Sequence, residues 1–426
     1  MKTRFLFAFL LFALTASAQS FDKYFTNKTL RVDYIFSGNA TEQHIAVDCY
    51  NEMPGWYGKR VRLSALPMEG NGQITMRDKA SGEVIYKNSF STLFQEWLNT
   101  PEAAKTTRSF ENVFLLPMPK NDAEITIDLR NNRREITASL TETFSPTDIL
   151  IRKIGEKPTP YETLVQAKDT NQCIHIAFIA EGYTDAEMPI FIEDANIAID
   201  ALFAHEPFKS MRERFNIVAV KSPSTDSGTS IPHKGIWKKT ALHSHFDTFY
   251  MNRYLTTLNL KTLHDWLAGT PYEHIIVLVN TSNYGGGGIL NSYNLSMTHH
   301  KKYRPVVVHE FGHSFAGLAD EYAYEQEQTP TYPHDIEPWE QNITTLVDFD
   351  AKWKDLVKKK TPIPTPEPQN AKDSTKAGVY EGAGYNLKGI YRAYPDCRMR
   401  TNENPEFCTV CRRIIQNVID FYTTPE

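Results

Sequence analysis

The spacing of apolar and polar positions changes character along this chain. From Phe21 to about Lys153 the apolar residues alternate or cluster in short runs. These include Leu30-Arg31-Val32-Asp33-Tyr34-Ile35, Ile45-Ala46-Val47, Gln73-Ile74-Thr75-Met76 and Glu83-Val84-Ile85-Tyr86. Ile125-Thr126-Ile127-Asp128-Leu129 and Glu135-Ile136-Thr137-Ala138-Ser139-Leu140 continue the series. Residues two apart share one face of a strand, and the turn-forming stretches Lys79–Gly82 and Asn131-Asn132 punctuate the runs. About seven or eight short strands at this spacing predict an all-β sandwich. Beyond the proline-containing linker Glu156–Pro160 the runs become continuous: Cys173–Ala180, Phe215–Val220 and His274–Asn280. Unbroken apolar runs are the mark of strands covered on both faces. Between the first two, Thr184-Asp185-Ala186-Glu187 is expected to open a helix reaching Phe203, with Thr184 as N-cap and Glu187 as its capping-box partner. The strand-helix-strand order predicts an α/β second domain, and Val410 to Tyr422 has the spacing of a closing helix.

The first residues read differently. Lys2 and Arg4 precede an apolar run, Phe5 to Leu14, and then Ala16-Ser17-Ala18 before Gln19. That is the pattern of a secretory signal peptide (residues 1–18), and its apolar run is too short to cross a bilayer. No cysteine follows the expected cleavage point, which argues against a lipid anchor. The expectation is an exported protein without a membrane span, in the periplasm, at the cell surface or released. A net charge of -5 and the lack of a basic cluster with interleaved aromatics argue against a nucleic-acid partner. The five cysteines are Cys49, Cys173, Cys397, Cys408 and Cys411. Cys408-x-x-Cys411 with Cys397 nearby fits either a disulfide or part of a second metal site, and the sequence leaves both open.

The chemistry concentrates in Val306–Tyr324, VVVHEFGHSFAGLADEYAY. His309-Glu310-Phe311-Gly312-His313 is an H-E-x-x-H motif. At about 100° per residue, the two histidines fall within roughly 40° of each other, one helical turn apart. Glu310 lies about 100° round from His309, within reach of a water on the same metal. Val307, Val308, Phe311, Phe315 and Leu318 occupy the far side, so the helix is amphipathic. A catalytic zinc needs a third protein ligand and a fourth position left to water. Gly317 can end the helix with a positive φ and turn the chain back. Asp320 is then the preferred third ligand, with Glu321 as its competitor.

Other stretches bear on the same chemistry. Tyr284 and Gly285–Gly288 do not form a phosphate loop, lacking the G-K-[ST] ending. Glycines in a strand mark close approach of another backbone, and a peptidase uses such a strand to receive its substrate as an added strand; Gly286 and Gly287 are candidates for that contact. His243-Ser244-His245 and His299-His300 lack a correctly spaced third ligand and are read as hydrogen-bonding or surface histidines. Lys358–Lys372 reads as a surface excursion, either a lid or inert.

Met399 sharpens the picture. A zinc helix ended by glycine, followed far downstream by a methionine in a tight turn, resembles the metzincin arrangement, in which that methionine lies beneath the metal. The usual third histidine position is Ala319 here, and Asp320-Glu321 follows instead. The combination is similar to the IgA-peptidase family of secreted bacterial metalloendopeptidases. The matching segments are Glu181–Thr184, Ser224–Gly228, Tyr284–Ile289, His309–Tyr322 and Cys397–Cys411. The resemblance implies a β-sandwich domain (19–153) followed by a metzincin-like zinc-peptidase domain (160–426). It also implies one catalytic Zn2+ held by His309, His313 and Asp320, Glu310 as general base, and a protein or peptide substrate, a host glycoprotein among the candidates. Tyr391, Arg392 and Tyr322 are candidates for stabilising the oxyanion. The rival readings are an exported binding protein with a structural zinc and an aminopeptidase.

Overall fold

A computed structural model describes residues 21–324, 332–368 and 375–425. The expected signal peptide and residues 369–372 of the proline- and lysine-rich excursion lie outside them. The architecture is multidomain α+β, with several sheets and few helices.

After a helical turn α1 (Phe21–Tyr24), the N-terminal half forms two four-stranded sheets. The first has the order β5-β1-β2-β8, built from β1 (Phe25–Gly38), β2 (Gln43–Pro54), β5 (Arg108–Pro119) and β8 (Arg152–Lys153). The second is β4-β3-β6-β7, from β3 (Gly72–Asp78), β4 (Val84–Phe90), β6 (Ala123–Arg130) and β7 (Ile136–Phe144). Burial alternates residue by residue along β6, as it must when one face meets a core and the other water. Val32, Tyr34 and Phe36 from the first sheet share that core with Ile74, Met76, Ile125 and Ile127 from the second. The rings of Phe114 and Phe90, one from each sheet, meet at 4.5 Å between centroids.

The pattern of this half predicts strands throughout, and the structure adds a helix, α2 (Leu93–Leu98). Thr92 caps it by accepting a hydrogen bond from the Gln95 amide at 3.2 Å. Phe94 and Trp97 are wholly buried. A six-residue helix carries too few turns for a periodicity signal, so its capping threonine was the available clue.

The second half is built on a six-stranded sheet of order β13-β14-β12-β10-β11-β9. Its members are β9 (Tyr161–Val165), β10 (Ile174–Glu181), β11 (Phe215–Val220), β12 (His274–Val279), β13 (Gly286–Ile289) and β14 (Tyr293–Met297). The runs β10, β11 and β12 are parallel and entirely buried. The outer strands β9 and β13 run antiparallel to their neighbours. A short 3-10 turn leads into α3 (Met188–Phe203), and the Thr184 amide and hydroxyl both donate to Glu187 Oε2 at 2.8 Å, as the capping box predicts. Helices α4 (Leu260–Leu267), α5 (Tyr303–Ala316) and α6 (Thr409–Thr423) complete this half, with a small sheet of β15 (Ile343–Thr344), β16 (Tyr380–Ala383) and β17 (Asn386–Arg392). One core joins Ile199 and Phe203 of α3, Phe311 and Phe315 of α5, and Ile415 and Ile419 of α6.

The two halves share packing. The apolar cluster between the N-terminal sheets continues into Ala177, Ile179 and Val277 of the six-stranded sheet. Buried Arg31 on β1 forms a two-point pair with Asp33 at 2.7 and 2.8 Å, and reaches Asp265 on α4 at 2.6 Å. No helix among the described residues is long and apolar enough to cross a membrane.

Candidate metal centre and cleft

Helix α5 carries His309, Glu310 and His313 to the floor of a cleft of about 1110 Å³. Each imidazole is fixed through its Nδ1, which donates to a backbone carbonyl: His309 to Arg398 O at 3.0 Å, His313 to Leu318 O at 2.5 Å. A carbonyl can only accept, so Nδ1 of each ring carries a proton, and in the neutral rings this leaves each Nε2 as the atom with a lone pair to offer a metal. Those two nitrogens stand 3.0 Å apart.

The helix ends where the sequence predicts. Gly317 has φ 57° and its amide reaches His313 O at 3.0 Å, a left-handed cap that returns the chain over the helix. Asp320 thereby arrives with Oδ1 at 3.0 Å from His309 Nε2 and 3.3 Å from His313 Nε2. That buried oxygen has no hydrogen-bond partner. For bonds of about 2.05 Å, two ligands of a tetrahedral zinc stand about 3.3 Å apart. Two imidazole Nε2 atoms and a carboxylate oxygen at these separations fit a metal ion. Glu321 turns the other way, wholly buried beside Cys411 Sγ at 3.1 Å, so the carboxylate beside the histidines is Asp320.

Met399 packs against the helix that carries the histidines. Its carbonyl accepts from the Glu321 amide at 2.9 Å, and a side-chain carbon at Gly312 would stand only 2.8 Å from its sulfur. The Arg400 and Thr401 amides both return to Cys397 O, closing the turn that contains Met399.

Glu310 faces the edge strand β13. A Cβ placed on Gly286 would fall 2.7 Å from Glu310 Oε1, so only glycine lets the carboxylate lie against this strand. Burial raises the Glu310 carboxyl above its ordinary range, and His309 and His313 oppose the shift. Gly287 faces away, toward the Tyr254 ring. At Gly286 the strand edge is bridged by the Tyr254 segment, with the Leu255 amide 3.4 Å from Gly286 O. The edge expected to receive an added strand is therefore already engaged at that residue.

The cleft walls hold residues that the sequence reading did not single out. Tyr385 sits at the tip of the β16–β17 hairpin, where Gly384 and Tyr385 take φ values of 55° and 64°, the all-positive pattern of a tight two-residue turn. Its hydroxyl donates to Asp320 Oδ2. The Gly384 and Tyr385 amides bind Asp320 O and Tyr322 O at 2.9 and 3.0 Å, tying the hairpin to the ligand segment. Tyr322 lines the cleft with its ring 5.8 Å from the Arg253 guanidinium. Tyr391 corrects an expectation. It lies on β17 opposite Glu381 and Thr344 and is not among the cleft-lining residues, because the hairpin brings up the tyrosine six residues earlier instead. Arg392 is likewise buried against Glu381 O, Gly382 O and Glu367.

The N-terminal half supplies one wall. Asn99, Asn132 and Arg134 line the cleft, and α2 places Glu96 there too. The Tyr254 hydroxyl donates to Glu96. Burial raises the Glu96 carboxyl to about 7, and the tyrosine hydrogen bond only partly offsets this. The remaining histidine pairs are engaged in ordinary contacts: His245 Nδ1 with Phe246 O at 2.7 Å, His299 with Asp194 at 2.9 Å, and His300 against the Tyr284 ring.

The family model described as IgA Peptidase M64 matches residues 163–373 and 368–419, more than half of the chain. The chain belongs to the IgA peptidase M64 family. A second model, the peptidase M64 N-terminus, matches residues 20–141, so the half that walls the cleft is itself an M64 feature. No curated protein matches the chain. An M64 chain is a peptidase, whose substrate is a protein or peptide.

Proposed function

We propose that this M64 peptidase is an exported zinc endopeptidase, with His309, His313 and Asp320 as metal ligands and Glu310 as general base. The observation that carries the reading is the partnerless Asp320 Oδ1 between two imidazole lone pairs. Three acceptors converging in a buried place repel one another unless a cation sits among them. When bound, zinc supplies Lewis acidity, bringing the pKa of water toward about 7 and polarising a carbonyl. Glu310 then takes a proton from the attacking water and returns it to the leaving amine. Its raised carboxyl suits both halves of that transfer. Tyr322 and Arg253, which both line the cleft, are the candidates for stabilising a developing oxyanion.

The cleft exceeds the volume usual for a small ligand, about 300–1000 Å³, which favours a stretch of peptide. The glycine edge strand over the metal helix and Met399 beneath it support a metzincin-like reading of the catalytic half, and the two packed N-terminal sheets support a β-sandwich. Export rests on the basic, apolar and A-x-A pattern of residues 1–18. A second reading rests on Glu96, a carboxyl in the cleft that could anchor the free amine of an aminopeptidase substrate.

The test is digestion of an unfolded protein such as casein by the mature chain, beside Glu310→Gln and a chelator control, with N-terminal sequencing of the products. Internal cuts that disappear in both controls are expected, with Glu310→Gln losing at least about 100-fold in activity while keeping its zinc. Release of single N-terminal residues would favour the aminopeptidase. Undiminished turnover in Glu310→Gln would remove that residue from the mechanism.

A further inference from the structure

Behind the catalytic ligands lies a second convergence of metal-binding side chains that peptide hydrolysis does not use. Cys397, Cys408, Cys411 and Glu321 are all buried, and one ligand atom from each lies within 4.8 Å of every other. Four of the protein's five cysteines are buried, and all five are unpaired. Three of the buried ones meet here. Cys397 and Cys411 Sγ stand 3.8 Å apart, and Cys411 Sγ lies 3.1 Å from Glu321 Oε1. Two sulfurs about 2.3 Å from one tetrahedral zinc are separated by about 3.8 Å, whereas a disulfide needs about 2.05 Å. Glu321 has no solvent exposure, and its Oε2 has no hydrogen-bond partner. A buried oxygen left in that state carries a full desolvation penalty, which a cation at the centre of the four groups would remove.

We propose that Cys397, Cys408, Cys411 and Glu321 form a second, closed site for Zn2+, structural rather than catalytic. Thiolate-rich tetrahedral sets select zinc over calcium or magnesium. The surroundings suit thiolates. The Cys408 amide donates to Cys397 Sγ at 3.2 Å, and the Cys411 amide to Cys408 Sγ at 3.5 Å. Cys408 is also the N-cap of α6, where the helix dipole favours negative charge. Buried Arg392 and Arg398 lie near enough to interact electrostatically with Glu321 and Cys397 respectively, so the negative charge left by three thiolates and a carboxylate around a divalent ion is not isolated.

The site's position gives it a purpose. Asp320 faces the histidines and Glu321, the next residue, faces the thiols. Cys397 begins the turn that carries Arg398, whose carbonyl orients His309, and Met399. A second ion would therefore clamp the ligand segment, the methionine turn and the start of α6 to one another. It would also keep the three thiols from oxidation in an exported protein.

The test uses the full mature chain purified without chelator and dialysed against zinc chloride, with zinc counted by plasma mass spectrometry and its shell read by X-ray absorption. The wild type is expected to hold two zincs per chain, with a sulfur shell at about 2.3 Å in part of the signal. The double variant His309→Ala/His313→Ala should lose one zinc and keep the other, now with a shell dominated by sulfur. Cys408→Ser/Cys411→Ser should lose the sulfur shell. A double-histidine variant that binds no zinc, or binds it through nitrogen and oxygen only, would overturn the proposal. So would a disulfide among the three cysteines found by mass spectrometry of the wild type, which needs no variant to fold. Because the two ions differ in ligand chemistry, failure of this site is distinguishable from failure of the catalytic one.

Discussion

Removing a single oxygen atom, in Tyr385→Phe, isolates how the hairpin acts on Asp320, the proposed metal ligand. The hydroxyl donates to Asp320 Oδ2, while Oδ1 faces the two histidines. The phenyl ring of the variant keeps its edge-on contact with Tyr322 at 5.3 Å, and phenylalanine tolerates the φ of 64° no worse than tyrosine. The loss is therefore confined to one hydrogen bond to a charged carboxylate, about 1.5–3 kcal/mol. At about 1.4 kcal/mol per factor of ten, that predicts metal binding weakened by roughly 10- to 100-fold, the range usual for an outer partner of a ligand. Competition against a chelator of known affinity would measure it. Tyr322→Phe is the control, since its hydroxyl is 3.4 Å from that of Tyr385 and touches no ligand directly; its effect should be several-fold smaller. Unchanged metal affinity together with a fall in kcat would refute the reasoning and assign the Tyr385 hydroxyl to the substrate.

Two further outcomes follow from the packing. Gly286→Ala would place a carbon 2.7 Å from Glu310 Oε1 and push the carboxylate off the strand; a displacement near 1 Å should lower kcat by about 100-fold, with the thermal midpoint little changed, and normal kcat would show that the base has room to shift. His175 and His274, on adjacent strands, are buried with burial lowering their pKa to about 4 and about 3. The unfolded chain takes up protons at these sites below about pH 6.5 and the folded chain does not. Stability should therefore rise with pH across this window and fall by up to about 1.4 kcal/mol per unit per histidine as pH drops from 6.5 toward 4. Urea titrations at pH 6.5 and 5.5 would measure the slope, and His274→Gln should flatten it; an equal slope in that variant would locate the proton uptake elsewhere.

The members of the candidate metal group were legible in the sequence because they are close in the chain and obey helical geometry. His309, Glu310 and His313 needed only the angle per residue, and Gly317 signalled the turn that returns Asp320. The long buried strands were equally plain from their unbroken apolar runs. What escaped was whatever depends on contacts between distant segments. Glu96 sits in a helix too short to leave a periodic trace, in a half that reads as strands. Tyr385 is fixed by a hairpin, and nearness in sequence to Met399 pointed to Tyr391 instead. The direction of Glu321 could not be told from that of Asp320 until the cysteines were placed around it.

The wall contributed by residues 70–134 has an evolutionary consequence. The metal helix, its glycine cap and the methionine turn are mutually constrained, so few of their positions can drift without loss of the reaction. Asn99, Asn132 and Arg134 touch the same cleft from a different sheet system and carry no such burden. Substitutions in loops of the N-terminal half can thus alter what the cleft accepts without touching the candidate metal group. Because the apolar cluster of the N-terminal sheets runs on into the six-stranded sheet, the wall cannot be cut away without baring that core, and the preferences of the cleft belong to the whole chain.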